Sequence, residues 1–151
     1  MNLIVGVGNT LRCDEGVGPA AVQRILTRGA LPPGVEAVDA GTPGFAILDL
    51  ARSARRMVVI DAMRAGGAPG TVYVVSPERV RSRGREFTES LHGVSILGAL
   101  RLARAVGELL PEVCLVGVEP QELGWGAELS PPVSAALDRA ADEAIAQASL
   151  E

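Results

Sequence analysis

Short apolar, β-branched runs alternate along the chain with longer amphipathic segments, and this alternation restricts the fold more than any other feature. The first run, at residues 3–7, has no polar residue at alternate positions, which is typical of a parallel strand buried on both faces. Residues 17–27 follow with apolar side chains at helical spacing and end before Gly29. This alternation predicts an α/β domain. At roughly 150 residues per domain, we expect residues 1–151 to form a single domain.

Four further strands and three further helices are expected, the strands at residues 35–39, 57–61, 71–75 and 113–118 and the helices at 45–55, 94–110 and from Pro131 onward. Ser130 is the expected N-cap of the last helix, because serine is favoured there and Pro131 suits the first helical position. Residues 62–70 form a shorter connection than the roughly twelve residues that a parallel crossover needs. We therefore expect strand 71–75 to run antiparallel, at an edge of an otherwise parallel sheet.

The ionisable residues exclude several kinds of chemistry. All 14 basic residues are arginine, so the chain has neither a Schiff-base lysine nor the lysine of a phosphate-binding loop. One histidine, His92, and two cysteines, Cys13 and Cys114, are too few for a closed structural zinc site. The cysteines lack a CxxC spacing and are typical of free thiols in a reducing compartment. Any step that needs an imidazole must use His92.

Charge and hydropathy exclude two classes of partner. The formal net charge of −4 and the low aromatic content of 3% make nucleic acid an unexpected partner. The apolar N-terminal run contains Gly6 and Gly8 and has no basic residue before it, unlike a signal peptide. No stretch reaches the roughly 18 apolar residues of a membrane-spanning helix. We expect a cytoplasmic protein that does not bind membranes, and a monomer, since nothing in the sequence requires an oligomer.

Polar side chains follow several predicted strands at the edge where α/β proteins bind ligands. Glu15 lies in the loop after the first strand, Asp61 ends the third strand, and His92 precedes a helix. Two carboxylates and one imidazole suit a divalent first-row metal in an open site, because three ligands leave positions for water or substrate. The structural alternatives are that Glu15 opposes the dipole of the first helix and that Asp61 caps a loop.

The loop after the first strand does not match a dinucleotide-binding fingerprint. Gly6 and Gly8 would require a third glycine at position 11, which is Leu11. We therefore expect no nucleotide cofactor. In the same loop, Asp14 is the expected N-cap of the first helix, and Cys13 is expected to be an unreactive thiol.

Six sequence blocks, taken in order, resemble those of the maturation endopeptidases of nickel–iron hydrogenases. The blocks are GVGNTL at residues 6–11, DEGVG at 14–18, DAGT at 39–42, IDA at 60–62, VGVEP at 116–120 and LSP at 129–131, with His92 before the third helix. The resemblance covers nearly the whole chain. It implies a three-layer α/β/α sandwich with a mostly parallel five-stranded sheet and one antiparallel strand.

The resemblance also implies an activity, which is removal of the C-terminal extension of the hydrogenase large-subunit precursor after nickel insertion. We then expect a hydrolase, an aspartic-type or metal-dependent processing endopeptidase, with nickel supplied by the substrate. The metal-contacting residues of the family match Glu15, Asp61 and His92, and Asp61 and Glu15 are the expected catalytic carboxylates. A water activated by the metal or by either carboxylate is expected to attack the scissile carbonyl.

For several residues the sequence allows two interpretations. Asp39 either orients the backbone of Gly41 and Thr42 or contacts substrate as part of the same loop. Trp125 either anchors a partner or covers the end of the sheet. A basic run is either solvated loop surface or a docking site for substrate, and consists of Arg79, Arg81, Arg83 and Arg85. The alternative function is a non-catalytic nickel-sensing chaperone of hydrogenase assembly, which would use the same three metal-contacting residues.

Overall fold

The computed structural model describes residues 1–81, 86–87 and 96–151. Its strands are β1 (Asn2–Val7), β2 (Val35–Gly41), β3 (Arg56–Arg64), β4 (Val72–Val75), β5 (Glu86–Phe87) and β6 (Glu112–Val118). Its α-helices are α1 (Val17–Arg28), α2 (Ile47–Ser53), α3 (Pro77–Arg81), α4 (Ile96–Ala105), α5 (Pro131–Ala135) and α6 (Leu137–Ala148). Two short 3₁₀ helices, Cys13–Gly16 and Gly44–Ala46, lead into α1 and α2.

The strands form a sheet in the order β2-β1-β3-β6-β4. Strands β2, β1, β3 and β6 are parallel to one another, whereas β4 pairs antiparallel with β6 at the edge. The two-residue strand β5 pairs antiparallel with the end of β3, where Met63 is opposite Phe87. The predicted five-stranded, mostly parallel sheet with one antiparallel strand is confirmed. Strand β5 is an addition that the sequence pattern did not predict.

Helices cover both faces of the sheet, and each face has its own apolar cluster. Ile4 and Val58 point into the cluster under α1 and α6. Their chain neighbours Val5 and Val59 point into the cluster under α2 and α4, because successive strand residues face opposite sides. The chain is therefore a three-layer α/β/α sandwich, and β1 is buried on both faces as its continuous apolar sequence predicts.

Two glycines allow the start of α1 to lie directly on the sheet. A Cβ atom at Gly18 would collide with the carbonyl oxygens of Val7 and Ile60, and one at Gly6 would collide with the carbonyl oxygen of Gly18. The obstructing atoms belong to backbones that are packed in the core and cannot move aside cheaply. This close contact holds the segment that precedes α1 against the carboxyl-terminal half of β3.

Two predicted helices are shorter in the structure. Helix α4 ends at Ala105 and not at residue 110, because Gly107 has a φ of 85° and the amides of Gly107 and Glu108 close the last turn. Residues 94–95, where this helix was predicted to begin, lie outside the described residues. Helix α2 spans Ile47–Ser53 and not 45–55, because a 3₁₀ turn precedes it and Ala54 is extended.

The predicted last helix is two helices, α5 and α6, joined at Ala136. The amide of Ala136 donates to the carbonyl of Val133 three residues back, so a tight turn interrupts the helix. Ser130 holds the N-cap position, as predicted, but its side chain makes no capping hydrogen bond. Within the described ranges, no helix is both long enough and apolar enough to cross a membrane.

Candidate active site

Glu15 and Asp61 lie at the edge of the sheet where the parallel strands end. Glu15 belongs to the 3₁₀ helix that follows β1, and Asp61 lies in the neighbouring strand β3. The chain leaves β1 for β2 on one side, and β3 then pairs with β1 on the other, so this is the point where strand order reverses. Ligands of open α/β sheets bind at such points. Both acidic residues are buried, with exposed fractions of 1% and 0%.

Contrary to the sequence prediction, Asp61 does not end its strand. Strand β3 continues to Arg64, because the next residues are apolar and stay paired with β6 and β5. Asp61 is opposite Gly117 of β6, whereas pairing with β1 stops one residue earlier, at Ile60. The Asp61 carboxylate is therefore held by a paired strand, which fixes it more firmly than a loop would.

Gly8 brings the two acidic residues together. It has a φ of 144°, and a Cβ atom there would collide with the Glu15 carbonyl oxygen and lie 3.6 Å from Asp61 Oδ1. The Gly8 amide donates to the Gly41 carbonyl at 2.8 Å, which also ties the loop after β1 to the end of β2. Because Gly8 has no side chain, the backbone carbonyl of Glu15 and the carboxylate of Asp61 can both lie close to it.

Each carboxylate has a polar neighbour that fixes its position. The amide of Ala62 donates to Asp61 Oδ1 at 2.7 Å. Glu15 Oε2 lies 3.9 Å from Nε of Arg12, with which it forms an ion pair. Two buried carboxylates at one edge can bind a cation or exchange a proton with a bound water.

His92, the third predicted member of the site, lies outside the described residues and stays a prediction. Within residues 1–81, 86–87 and 96–151, no group of three His, Cys, Asp or Glu residues could hold a metal ion. The carboxylates of Glu15 and Asp61 are ligands that suit a divalent metal, and His92 stays the predicted third ligand.

Asp14 is not the N-cap of α1, contrary to the sequence prediction. The N-cap position belongs to Gly16, and Asp14 is fully buried in the preceding 3₁₀ helix. Asp14 Oδ2 accepts the amides of Gln121 and Glu122 at 2.8 Å each and the Ser130 hydroxyl at 2.7 Å, and Oδ1 accepts the Ser130 amide at 2.7 Å. Asp14 therefore anchors the segment between β6 and α5 to the loop that carries Glu15.

Asp39, Gly41 and Thr42 line a cleft at the same edge. The cleft measures about 260 Å³ and is completed by residues 8–10. The Asp39 carboxylate accepts the Gly41 amide at 2.9 Å, so it does orient this backbone, and the Asp39 side chain remains exposed to the cleft. A larger cavity, about 490 Å³, lies at the opposite edge beside Asn2 and Arg56 and is remote from these carboxylates.

Two other residues at this edge, Cys13 and Glu119, have surroundings that favour a structural role. Desolvation raises the pKa of the Cys13 thiol, and the carboxylates of Glu122 and Asp14 raise that pKa further, which opposes a thiolate nucleophile. Glu119, at the end of β6, accepts the Ala65 amide at 2.8 Å and the Tyr73 hydroxyl at 3.0 Å. These contacts of Glu119 hold the β3–β4 connection in place.

For Trp125 and for part of the basic run, the structure excludes one of the two interpretations that the sequence allowed. Trp125 does not cover the sheet, because 78% of it is exposed, and the Cζ atom of Arg12 lies 5.1 Å from its ring centroid. Arg79 and Arg81 lie in the short helix α3 and not in a loop, since Pro77 suits a first helical position. Arg83 and Arg85 lie outside the described residues.

Sequence reasoning missed the roles of Asp14 and Arg12. Both act through residues more than 100 positions away, since Arg12 donates to the Leu123 carbonyl and Asp14 accepts from Ser130. One signal was available: Arg12 lies three residues before Glu15, at the spacing of an ion pair on one helical turn.

Comparison with known proteins gives consistent matches. A family model described as hydrogenase maturation protease (HycI) matches residues 19–147. The hydrogenase expression/formation protein HupM of Azotobacter chroococcum is 38% identical over 145 residues, 95% of this chain and 69% of HupM. The hydrogenase 2 maturation protease of Escherichia coli is 32% identical over 95% of this chain and 88% of its own length. The solved structure of the hydrogenase maturating endopeptidase HybD from E. coli has a TM-score of 0.78 at 30% identity, covering 97% of this chain and 91% of HybD.

Proposed function

Because the chain belongs to the hydrogenase maturation protease family, we propose that it removes the C-terminal extension of a nickel–iron hydrogenase large-subunit precursor after nickel insertion. The nickel is part of the substrate, and Glu15, Asp61 and His92 complete its coordination. We place this reaction in the cytoplasm and assign it to the monomer. The protein needs no nucleotide cofactor for it.

The placement of Glu15 and Asp61 at one edge of the sheet, both close to Gly8, carries this proposal. Both are buried at the point of the sheet where ligands bind, and both belong to elements held by backbone pairing or packing. Glu15, Asp61 and the proposed third ligand His92 form an incomplete site, because three ligands leave coordination positions for the substrate. An incomplete site discriminates between precursors, because only a nickel-loaded precursor offers a cation for the carboxylates to bind.

Hydrolysis of the peptide bond requires an attacking water and a proton for the departing amine. We assign Asp61 as the carboxylate that takes a proton from the water while the water oxygen bonds to the carbonyl carbon, with Glu15 as the second catalytic carboxylate. The same proton then passes to the amine nitrogen as the carbon–nitrogen bond breaks. The substrate's nickel supplies Lewis-acid polarisation. This makes the enzyme an aspartic-type peptidase that depends on a metal brought by its substrate.

The cleft beside the carboxylates is the proposed site for the polypeptide around the scissile bond. It is lined by residues 8–10 and by Asp39, Gly41 and Thr42. The exposed residues Thr10 and Thr42 can contact an extended peptide there, whereas Asp39 holds Gly41 in place.

The test is incubation of the purified protein with nickel-loaded and nickel-free precursor, followed by intact mass measurement. Loss of the C-terminal extension only from the loaded precursor is the expected result. Asp61→Asn, Glu15→Gln and His92→Ala should each lower the cleavage rate about 100-fold or more. Matched controls are Asp49→Asn and Glu36→Gln, which make the same changes at exposed positions and should cleave normally.

The chaperone alternative gives a different result in the same experiment. A nickel-sensing chaperone would bind the loaded precursor in preference to the empty one and leave its mass unchanged. Normal cleavage by Asp61→Asn or His92→Ala would instead contradict the assigned residues while leaving the peptidase activity in place.

A further inference from the structure

The segments that follow β1 and β6 are hydrogen-bonded to each other at the carboxyl edge of the sheet. The amide of Cys13 donates to the Gly126 carbonyl at 2.8 Å, and the amide of Gly126 donates to the Leu11 carbonyl at 2.9 Å. The amide of Asp14 also donates to the Glu122 carbonyl at 2.9 Å. The loop that carries Trp125 and the loop that carries Glu15 are therefore one connected structure.

Arg12 joins the exposed part of this structure to its buried part. Its Nε and Nη2 donate to the Leu123 carbonyl at 3.1 and 2.9 Å, which fixes the guanidinium. In that position Nε is 3.9 Å from Glu15 Oε2, and Cζ is 5.1 Å from the ring centroid of Trp125. Its side chain is 24% exposed and that of Glu15 is 2% exposed, so Arg12 spans from surface to interior.

Trp125 has the properties of a residue that contacts a partner protein. It is 78% exposed, and Leu11, on the paired segment, is 62% exposed. Tryptophan and arginine are enriched among the residues that contribute most to protein interfaces. A guanidinium placed against one face holds the indole in a fixed orientation and leaves its other surface available. We expect a protein bound at this edge of the sheet to contact the exposed indole.

We propose that Arg12 is a positioning residue of the active site, which holds the Glu15 carboxylate and presents Trp125 as a contact for the hydrogenase large-subunit precursor. This inference rests on the proposed function, because it names a docking contact for that substrate. Arg12 touches Trp125 and Glu15 at once, so it couples docking of the precursor to the position of the carboxylate.

Steady-state cleavage of nickel-loaded precursor separates the two roles. Trp125→Ala should raise KM about tenfold and leave kcat within about twofold, because only docking is lost. Arg12→Gln should raise KM and also lower kcat about tenfold, because Glu15 loses its neighbouring cation. Arg12→Lys should recover most of kcat but not of KM, since an ammonium restores the charge but not the flat stacking surface. Arg139→Gln removes the same charge at an exposed position of α6 and serves as the control.

The fluorescence of Trp125 provides a measurement that needs no substrate, because Trp125 is the only tryptophan of the chain. Arg12 should attract iodide to the indole, so Arg12→Gln should lower iodide quenching about twofold at constant ionic strength. Quenching by neutral acrylamide should not fall, because removing the guanidinium uncovers the ring. Arg139→Gln should match the wild type with both quenchers.

The outcomes are distinguishable from failure of the proposed function. If the wild type does not cleave loaded precursor, the proposed function is wrong and the docking role falls with it. If the wild type cleaves but Arg12→Gln has the kcat of Arg139→Gln, Arg12 does not position Glu15. An unchanged KM in Trp125→Ala would likewise overturn the inference while the peptidase assignment stands. Equal iodide quenching of Arg12→Gln and the wild type would do the same.

Discussion

At the scale of single residues, two adjacent acids do different work. Asp14 accepts four hydrogen bonds from the segment between β6 and α5, whereas Glu15 forms an ion pair with Arg12. Four donors satisfy both oxygens of the buried Asp14 side chain. Asp14 thus supports the fold around the site, and the catalytic role of Glu15 stays a prediction.

Asp14→Asn should destabilise the protein by about 2–4 kcal/mol. The amide nitrogen of asparagine would face an amide or hydroxyl donor of Gln121, Glu122 or Ser130, so at least one hydrogen bond becomes a repulsion between donors. Urea unfolding followed by circular dichroism measures the change. Asp49→Asn, the same substitution at an exposed position, should cost less than about 0.5 kcal/mol. Equal midpoints for the two variants would contradict the anchoring role.

The sequence marked Glu15 and Asp61 as candidate site residues, a role that stays a prediction, but it did not reveal the structural role of Asp14. An acid within an apolar run, or within a glycine-rich loop after one, is visible from a few neighbouring residues. The partners of Asp14 lie 107 to 116 positions away, and no local pattern distinguishes such an acid from a helix cap. Asp61 was expected at a strand end because sequence pattern does not show that β5 and β6 prolong the pairing of β3.

At the scale of elements, α1 and α6 contact each other through an apolar seam bordered by charges. Small side chains of α6, such as Ala140 and Ala144, are fully buried and let α1 approach closely. At the border, Arg28 pairs with Asp138 at 2.7 Å and with Asp142 at 2.6 Å, and Arg24 pairs with Asp138 at 3.0 Å. The charged border sets the register of two helices whose seam is mostly alanine on one side.

This border predicts a pH dependence of stability. Hydrogen bonding to Arg28, together with the charge of Arg24, lowers the pKa of Asp138 below its ordinary value of 3.8. The pair therefore stabilises the fold above that ordinary value and loses its effect as pH falls through the lowered pKa. Asp138→Asn should have a lower Tm than the wild type at pH 7, and the two should converge toward pH 3. High salt should also reduce the difference, because the pair is exposed.

The control for this experiment is Glu36→Gln, at an exposed position of β2. It should give no pH-dependent difference from the wild type. A Tm difference between Asp138→Asn and the wild type that stays constant from pH 7 to pH 3 would show that helix packing, not the ion pair, is responsible.

Periodicity predicted the existence, type and order of the main elements, and backbone details that depend on tertiary contact escaped it. The alternation of apolar runs was enough for β1, β2, β3, β4 and β6, because each is a continuous buried or half-buried run. Strand β5 has two residues and no pattern of its own. The break at Ala136 escaped prediction because alanine fits a continuous helix equally well.

At the scale of the whole molecule, the residues that stabilise the fold cover the faces of the sheet, and the residues proposed to act on substrate lie at its carboxyl edge. The two apolar clusters cover the faces, and most of their strand residues are fully buried aliphatic side chains. The carboxyl edge differs, since it buries Glu15 and Asp61 in the same small region. Burial of carboxyl groups costs free energy that hydrophobic packing elsewhere must offset. The fold therefore retains a destabilising feature that the proposed reaction requires.

Asp61→Asn tests this division between stability and function. Asparagine has the shape of aspartate and keeps an oxygen for the Ala62 amide, but it carries no charge next to Glu15. The isolated variant should be more stable than the wild type by about 1–2 kcal/mol, or about 2–6 °C in Tm, while cleavage of loaded precursor is lost. Differential scanning calorimetry without added metal measures the first effect, and Asp49→Asn, which removes only an exposed ion pair with Arg52, should not raise Tm. A lower Tm for Asp61→Asn would mean that the carboxylate stabilises the fold, and the carboxyl edge would then carry no stability cost for function.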